Sequence, residues 1–178
     1  MFSSLPQARP YVLTIGSSAK HKNISLIAGL AGRLDQIGFD LRIVGGGAAI
    51  FADQGAQTDA ANVHRHAGAS DDDLAALLRG AACLAFPSLV EGFGLPVIEA
   101  MALGCPVIAS DIPIMREVCA GAALLASPTD RAAWDAAFAA IAGSEGLRDR
   151  LRGAGFERVG HFRWSETAEV YDDLIKRL

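Results

Sequence analysis

The sequence lacks the features of a disulfide-rich or metal-binding module. Only three of its 178 residues are cysteine, and Cys83, Cys105 and Cys119 show neither a CxxC pair nor the spacing of metal ligands. Each cysteine has apolar neighbours in the sequence. This pattern favours small buried thiols in a reducing compartment, where disulfides are rare.

Long apolar runs and an excess of positive charge are also missing. No run approaches the roughly 18 apolar residues that cross a bilayer. The start MFSSLPQARPYVL lacks the charged segment and apolar stretch of a signal peptide. These absences predict a cytoplasmic protein. The net charge of -4 disfavours non-specific nucleic-acid binding, which needs a basic surface.

Lysine is scarce, and its distribution is uneven. The chain has 16 basic residues, of which Lys20, Lys22 and Lys176 are the lysines. Two of these lie in one short polar loop, SSAKHKN, while arginine supplies the rest of the positive charge. The loop is therefore a candidate for binding an anion.

Short apolar runs alternate with segments of helical periodicity along the chain, as in βαβ proteins. The predicted strands are 11–16, 39–46, 62–68, 82–87, 106–110 and 122–126. The predicted helices are 24–36, 48–54, one capped by Ser70, 96–103, 112–118, 129–142, 144–158 and 165–178. We expect an α/β fold, a single Rossmann-like domain with a parallel sheet of about six strands and helices on both faces. Its strand-to-helix loops would share the edge at which such sheets bind ligands.

Residues 88–99, SLVEGFGLPVIE, follow a predicted strand and lead into a helix. Gly92 and Gly94 allow a sharp turn and a close approach of a ligand to the main chain. Pro96 stands where proline tolerates a helix start. The free N–H groups of residues 93–95 and the helix dipole then form an anion site suited to phosphate.

Two carboxylates flank this predicted phosphate site. Glu91 lies on the loop, and Glu99 is expected in the first helical turn, pointing back towards the site. An ionised carboxylate accepts hydrogen bonds and can bind a vicinal diol. A phosphate site between two such groups suits a ligand with a ribose and a hexose.

The stretch resembles the E-x7-E motif of the retaining GT-B glycosyltransferases of the group 4 family (glycosyl transferases group 1). That family includes sucrose and glycogen synthases and many bacterial mannosyl- and glucosyltransferases. The resemblance covers nearly the whole chain. It includes the KN loop after the first strand, the Gly68 turn before a capped helix, PSLVEGFGLPVIEAMALGCPVIASDIP, and the final FRWSETAEVYDDL.

The resemblance implies roles for residues of this site. Glu91 would contact hydroxyls of the donor sugar, Glu99 would bind the ribose diol, and Lys22 would neutralise the diphosphate leaving group. Glu91 and Lys22 are accordingly the candidate catalytic residues. The remaining donor-binding candidates are backbone or loop positions: Gly16, Lys20, Gly68, Ala69, Ser88, Gly92, Phe93, Gly94 and Leu95.

One position departs from the family pattern. His21 stands where members usually carry an arginine beside the lysine, so that Lys20 is the candidate for the second positive charge. The resemblance implies that no metal or other cofactor is needed, and the aspartates of 71–73 belong to the predicted start of the helix capped by Ser70. The base would lie near Gly68 and Ala69, where backbone groups contact it, so a UDP-sugar and a GDP-sugar are both open as donors.

The resemblance also implies that a second domain is needed. Residues 1–10 resemble an interdomain linker, 11–178 would be the nucleotide-sugar-binding domain, and 161–178 its closing helix. The acceptor site would belong to an N-terminal domain, so we expect this chain to bind donor and to transfer hexose poorly by itself. The acceptor is expected to be a glycan or lipid. The full-length enzyme could contact the inner face of the membrane peripherally.

Three alternatives share parts of this pattern. A GT-B phosphorylase would bring a cofactor-lysine motif that the sequence does not show. A non-catalytic nucleotide- or nucleotide-sugar-binding module remains open and would not need Glu91. A dehydrogenase-type Rossmann domain is disfavoured, because GGGAAI at 45–50 lacks the GxGxxG spacing. His64 and His66 are interpreted as structural or solvent-facing, and the arginines of 148–152 as a solvated helix face, with a membrane contact as the alternative.

Overall fold

The computed structural model of the protein describes residues 9–17, 19–45 and 60–177. These residues form one parallel sheet of six strands: β1 Tyr11–Ile15, β2 Asp40–Val44, β3 Val63–His66, β4 Cys83–Phe86, β5 Val107–Ser110 and β6 Leu124–Ala126. The order of the strands across the sheet is β3-β2-β1-β4-β5-β6. Thr14 of β1 lies between Ile43 of β2 and Ala85 of β4. The prediction of a six-stranded parallel sheet is confirmed.

Helices pack on both faces of this sheet. They are α1 Ile24–Ala28, α2 Ala31–Gln36, α3 Asp71–Gly80, α4 Leu95–Ala102, α5 Pro113–Cys119, α6 Arg131–Gly143, α7 Glu145–Val159 and α8 Trp164–Lys176. A short 3-10 helix, Lys20–Lys22, precedes α1. The Ser70 hydroxyl caps α3 in a capping box with Asp73, which confirms the predicted helix start.

The core is divided into two layers by the sheet. One layer contains Leu13 and Phe86 against α3, α4 and α5. The other contains Leu41 and Trp134, with α1, α2 and α6 packed against the opposite sheet face. Because both faces are covered, the strands β4 and β5 are buried along their whole length and are apolar except for the final Ser110.

The single helix predicted over 24–36 is wrong, because α1 ends at Ala28 and α2 begins at Ala31. The guanidinium of Arg131 donates to the carbonyl of Gly29. The Arg33 N–H, which would bond that carbonyl in a continuous helix, donates to Leu30 instead. A contact with a distant part of the chain therefore interrupts a periodic sequence.

Smaller differences concern element ends and the last strand. Strand β6 begins at Leu124, two residues later than predicted, and each of the other strands has one or both of its ends one or two residues inside the predicted bounds. Element ends are the least certain part of a pattern-based prediction because the chain leaves pairing gradually. The helix predicted over 48–54 and most of the linker-like segment 1–10 lie outside the described residues.

Two of the three arginines at 148–152 on α7 bond to neighbouring backbone carbonyls rather than only facing solvent. Arg148 donates to the carbonyl of Ile141 at the end of α6, and Arg152 donates to the carbonyl of Gly104 at 3.2 Å. Only Arg150 of the three is fully exposed. The predicted solvated face is therefore wrong for two arginines, which tie α7 to its neighbours.

Candidate functional site

The loops that follow β1 and β4 meet at the carboxyl edge of the sheet. These strands are adjacent, and the strand order reverses between them, which is where open α/β sheets bind ligands. The Leu89 N–H donates to the His21 carbonyl at 2.7 Å and joins the two loops directly. The loop with the two lysines and the loop with the two glycines therefore form one site.

Lys22 and Glu91 form an ion pair across this site. The Lys22 Nζ lies 2.6 Å from Glu91 Oε1, and the two side chains are 24% and 10% exposed. The same ammonium lies 5.7 Å from the centroid of the Phe86 ring, within reach of a cation–π attraction. The structure thus brings together the two residues predicted as catalytic, which are 69 positions apart in the sequence.

Asn23 fixes the loop that carries Lys22. Its backbone is in the left-handed region with φ of 53°, a conformation that asparagine tolerates better than most residues. Its side-chain amide donates to the Pro87 carbonyl at 3.1 Å and to the Pro128 carbonyl at 2.9 Å. Asn23 therefore links the loops after β1, β4 and β6. The sequence reasoning noted the KN pair but missed this role.

Gly94 is the N-cap residue of α4 and has φ of 90°. The conformation favours glycine, and a Cβ at this position would lie 2.5 Å from the Met115 Cε, so that the end of that side chain would also have to move. Gly92 is exposed and a Cβ there would meet nothing within 4 Å. The two glycines of the motif therefore differ: one shapes the helix start, and the other leaves the loop surface open.

Glu99 lies beyond the first turn of α4. The helix begins at Leu95, because the left-handed Gly94 caps it one residue earlier than predicted. Glu99 is then the fifth helical residue, and the expected first-turn position is wrong. Its side chain is exposed at the surface. Its proposed contact with a ribose stays a prediction.

Three other motif residues occupy different environments. Ser88 is 1% exposed, and its hydroxyl has no hydrogen-bond partner within the described part of the chain. Phe93 and Leu95 are 41% and 51% exposed. The Phe93 ring packs edge-on against Phe162 at a centroid distance of 5.4 Å. A cavity of about 480 Å³ lies beside them, lined mainly by α4 and the α7–α8 junction. The loop is thus braced by the C-terminal helices.

Gly16 and Lys20 belong to the loop after β1. The Gly16 N–H donates to the Val44 carbonyl at 3.0 Å. A Cβ on Gly45 would lie 2.1 Å from the Gly16 carbonyl oxygen, so the two strand ends approach closely because a glycine is present. Lys20 and His21 are both exposed. The role of Lys20 as the second positive charge stays a prediction.

Gly68 and Ala69 line a second cavity of about 590 Å³ at the β3 edge, together with Tyr11, Arg42, His66 and Leu77. Burial first, and then the Arg42 guanidinium, lowers the pKa of His66 below its usual value. His64 lies 3.2 Å from the Asp40 carboxylate on the neighbouring strand. His64 thus lies exposed on the edge strand β3, and His66 lines the cavity; their structural or solvent-facing role stays a prediction.

Within the residues that the structure describes, no cluster of three or more histidine, cysteine, aspartate or glutamate side chains is placed to hold a metal ion. Over the same ranges, none of the helices combines the length and apolar character that crossing a bilayer requires.

Comparison with known proteins identifies relatives among sugar-transferring enzymes. The O-antigen chain mannosyltransferase RfbU of Salmonella typhimurium is 47% identical over 68 residues, covering 38% of this chain and 19% of that protein. The MMP alpha-(1->4)-mannosyltransferase of Mycolicibacterium hassiacum is 38% identical over 124 residues, covering 65% of this chain and 30% of that protein. The chain thus spans less than a third of either relative.

The fold also matches a solved structure. Sucrose-phosphate synthase from Thermosynechococcus elongatus superposes with a TM-score of 0.84 and 28% identity, over 98% of this chain and 47% of that one. This match confirms the predicted Rossmann-like α/β fold of the GT-B glycosyltransferases. The family model described as Glycosyl transferases group 1 matches residues 2–158. The chain therefore belongs to the glycosyl transferases group 1 family.

Proposed function

We propose that this chain is the donor-binding domain of a retaining glycosyltransferase, which transfers a hexose from a nucleotide diphosphate sugar to a glycan or lipid acceptor. The observation that carries the proposal is the placement of Lys22 and Glu91 at the switch point of the sheet, 2.6 Å apart and next to the start of α4. A sugar diphosphate requires a cation and free amides for its phosphates, and a carboxylate that accepts hydrogen bonds from its sugar hydroxyls.

The donor would lie along the carboxyl edge of the sheet. In this proposal Lys22 and the amides of Gly92 to Leu95 bind the diphosphate, and Lys20 adds a second charge. Glu91 accepts hydrogen bonds from the hexose, and Glu99 from the ribose. Gly16 and Ser88 border the diphosphate, while Gly68 and Ala69 contact the base. Lys22 and Glu91 are partly shielded from water, where charge-assisted bonds are stronger.

The chemistry would consist of stabilising a leaving group. As the bond from the sugar to the diphosphate breaks, negative charge grows on the β-phosphate, and a fixed ammonium stabilises it in the transition state. The acceptor hydroxyl attacks from the face that the phosphate leaves and gives its proton to that phosphate. Lys22, rather than a metal ion, supplies the positive charge in this scheme.

A second domain would provide the acceptor. Helix α8 supports this part of the proposal, because none of its residues is buried and its apolar side chains face outward. Trp164 is 82% exposed, Tyr171 64% and Ile175 67%. An apolar surface of this kind on a soluble domain is typical of an interface with another protein segment. We therefore propose that the parent enzyme is larger than this chain.

Calorimetry on this chain tests the proposal. UDP, GDP and their hexose conjugates are titrated in EDTA, and we expect one nucleotide series to bind with no metal present. Glu99→Ala should weaken that series by about 1.5–3 kcal/mol, the value of a hydrogen bond to a charged group, with Glu145→Ala on the remote start of α7 as the surface control. Absence of binding by any nucleotide or nucleotide sugar would overturn the assignment. Binding of nucleotide with no preference for a sugar conjugate would favour the non-catalytic module.

A further inference from the structure

Lys22 and Glu91 bond to each other in the structure, where their charges neutralise at 2.6 Å. Under the proposed function, on which this inference rests, Lys22 serves the diphosphate and Glu91 serves the sugar instead. A lysine ammonium close enough to form this short bond to a carboxylate must exchange it, in whole or in part, for a bond to phosphate. Binding of the diphosphate therefore has a cost that depends on what happens to Glu91.

We propose that Glu91 is an internal competitor for Lys22, which makes the site discriminate the intact donor from the nucleoside diphosphate product. A nucleoside diphosphate takes the cation but, with its ribose at Glu99, brings no sugar hydroxyl to Glu91. An intact nucleotide sugar takes the same cation and supplies sugar hydroxyls that donate to the carboxylate. The Glu91 carboxylate therefore has hydrogen-bond donors in the complex with the nucleotide sugar and loses its partner in the complex with the nucleoside diphosphate.

The burial of Glu91 makes this difference large. Its side chain is only 10% exposed, so water can replace the ammonium only in part. Removing one partner of a shielded ion pair is costly because the remaining charge stays poorly solvated. For the more exposed pair Lys176–Asp172 on α8, with side chains 67% and 60% exposed, the same exchange would cost little.

The surroundings allow Lys22 to move while the rest of the site stays fixed. Its side chain is flexible, and the nearby Phe86 ring offers the ammonium a second favourable contact. The backbone on either side is held by Asn23 and by the hydrogen bond from Leu89 to His21. After transfer, the sugar hydroxyls leave with the product, and Lys22 returns to Glu91 as the diphosphate dissociates. The pair would thereby limit inhibition by product.

The test compares nucleoside diphosphate with nucleotide sugar in the full chain. Glu91→Gln keeps the size of the side chain but removes its charge. We expect this variant to bind UDP or GDP about tenfold more tightly than the wild type, since one charge-assisted bond no longer competes. The affinity for the sugar conjugate should rise less or fall, so that the preference for intact donor shrinks. Glu99→Gln is the matched control and should weaken both ligands.

A second variant separates this mechanism from simple repulsion between Glu91 and phosphate. In a Lys22→Met background, Glu91→Gln should no longer tighten nucleotide binding, because no lysine remains to be released. Tightening that persists in that background would overturn the inference, as would an unchanged or weaker affinity of Glu91→Gln for the diphosphate. Thermal unfolding of each variant verifies that it is folded. A wild type that binds no nucleotide at all would instead overturn the proposed function, and this inference with it.

Discussion

Replacing Gly94 by alanine should destabilise the protein much more than the same change at Gly92. Gly94 has φ of 90°, and its added Cβ would lie 2.5 Å from the Met115 Cε and 3.4 Å from its sulfur. The left-handed backbone costs about 1–2 kcal/mol for a residue with a Cβ. Displacing the end of a buried methionine adds about 1 kcal/mol, at the low end for overpacking because that side chain is flexible. The expected loss is about 2–3 kcal/mol.

Gly92 provides the matched control within the same loop. Its Cβ would meet nothing within 4 Å, and its φ is not in the left-handed region. Gly92→Ala should therefore change the free energy of unfolding by less than about 0.5 kcal/mol, as for ordinary surface substitutions. If the ligand approaches the main chain here, Gly92→Ala should weaken donor binding even though stability is retained.

Urea unfolding followed by circular dichroism measures both effects. Midpoints that fall with an unchanged slope would indicate a loss of stability rather than a change in the denatured state. Equal destabilisation by the two substitutions would refute the reasoning, because it would mean that neither the backbone conformation nor the Met115 contact distinguishes the glycines. A Gly94→Ala variant within about 0.5 kcal/mol of the wild type would refute it as well.

Two further predictions concern the loops and the thiols. Asn23→Asp keeps the residue's shape but removes both donations to backbone carbonyls, so urea unfolding should show a loss of about 1–3 kcal/mol; wild-type stability would contradict the linking role. Burial raises the pKa of Cys105 to about 12 and that of Cys119 to about 11, and it also raises the pKa of Cys83. Iodoacetamide at pH 8 should therefore label these thiols only upon unfolding, and rapid labelling of the folded protein would contradict their burial. Since the folded pKa values exceed the unfolded value of 9.0, the stability that the neutral thiols contribute should decline as pH rises from 9 towards 12.

The sequence predicted the fold well because local signals and global architecture agree. Apolar runs such as CLAF read as buried strands, and Ser70 with its three following aspartates predicted a capped helix. The alternation of strands and helices then limits the connections to right-handed crossovers, which place Lys22 and Glu91 on one edge. Pattern alone could not pair their side chains, because that contact joins loops 69 positions apart.

Side-chain hydrogen bonds to distant backbone carbonyls could not be predicted from the sequence. The amide of Asn23 bonds to carbonyls 64 and 105 positions away, and any residue presents such a carbonyl. The interruption of the predicted helix at Gly29 has the same origin, since Arg131 is 102 positions away. In both cases the side chain is visible in the sequence, but its partner carries no sequence signal. The only sequence signal for the role of Asn23 is its position, directly after Lys22 and before the start of a helix.

The tethers around Lys22 bear on what a partner domain contributes. The hydrogen bonds of Asn23 and of Leu89 that fix the loops after β1 and β4 join groups of this domain. Groups that are already ordered bind a ligand without a further loss of conformational entropy. Donor affinity should therefore be largely a property of this domain. A partner domain would act on the other side of the donor, by bringing the acceptor and by excluding water as the reaction begins.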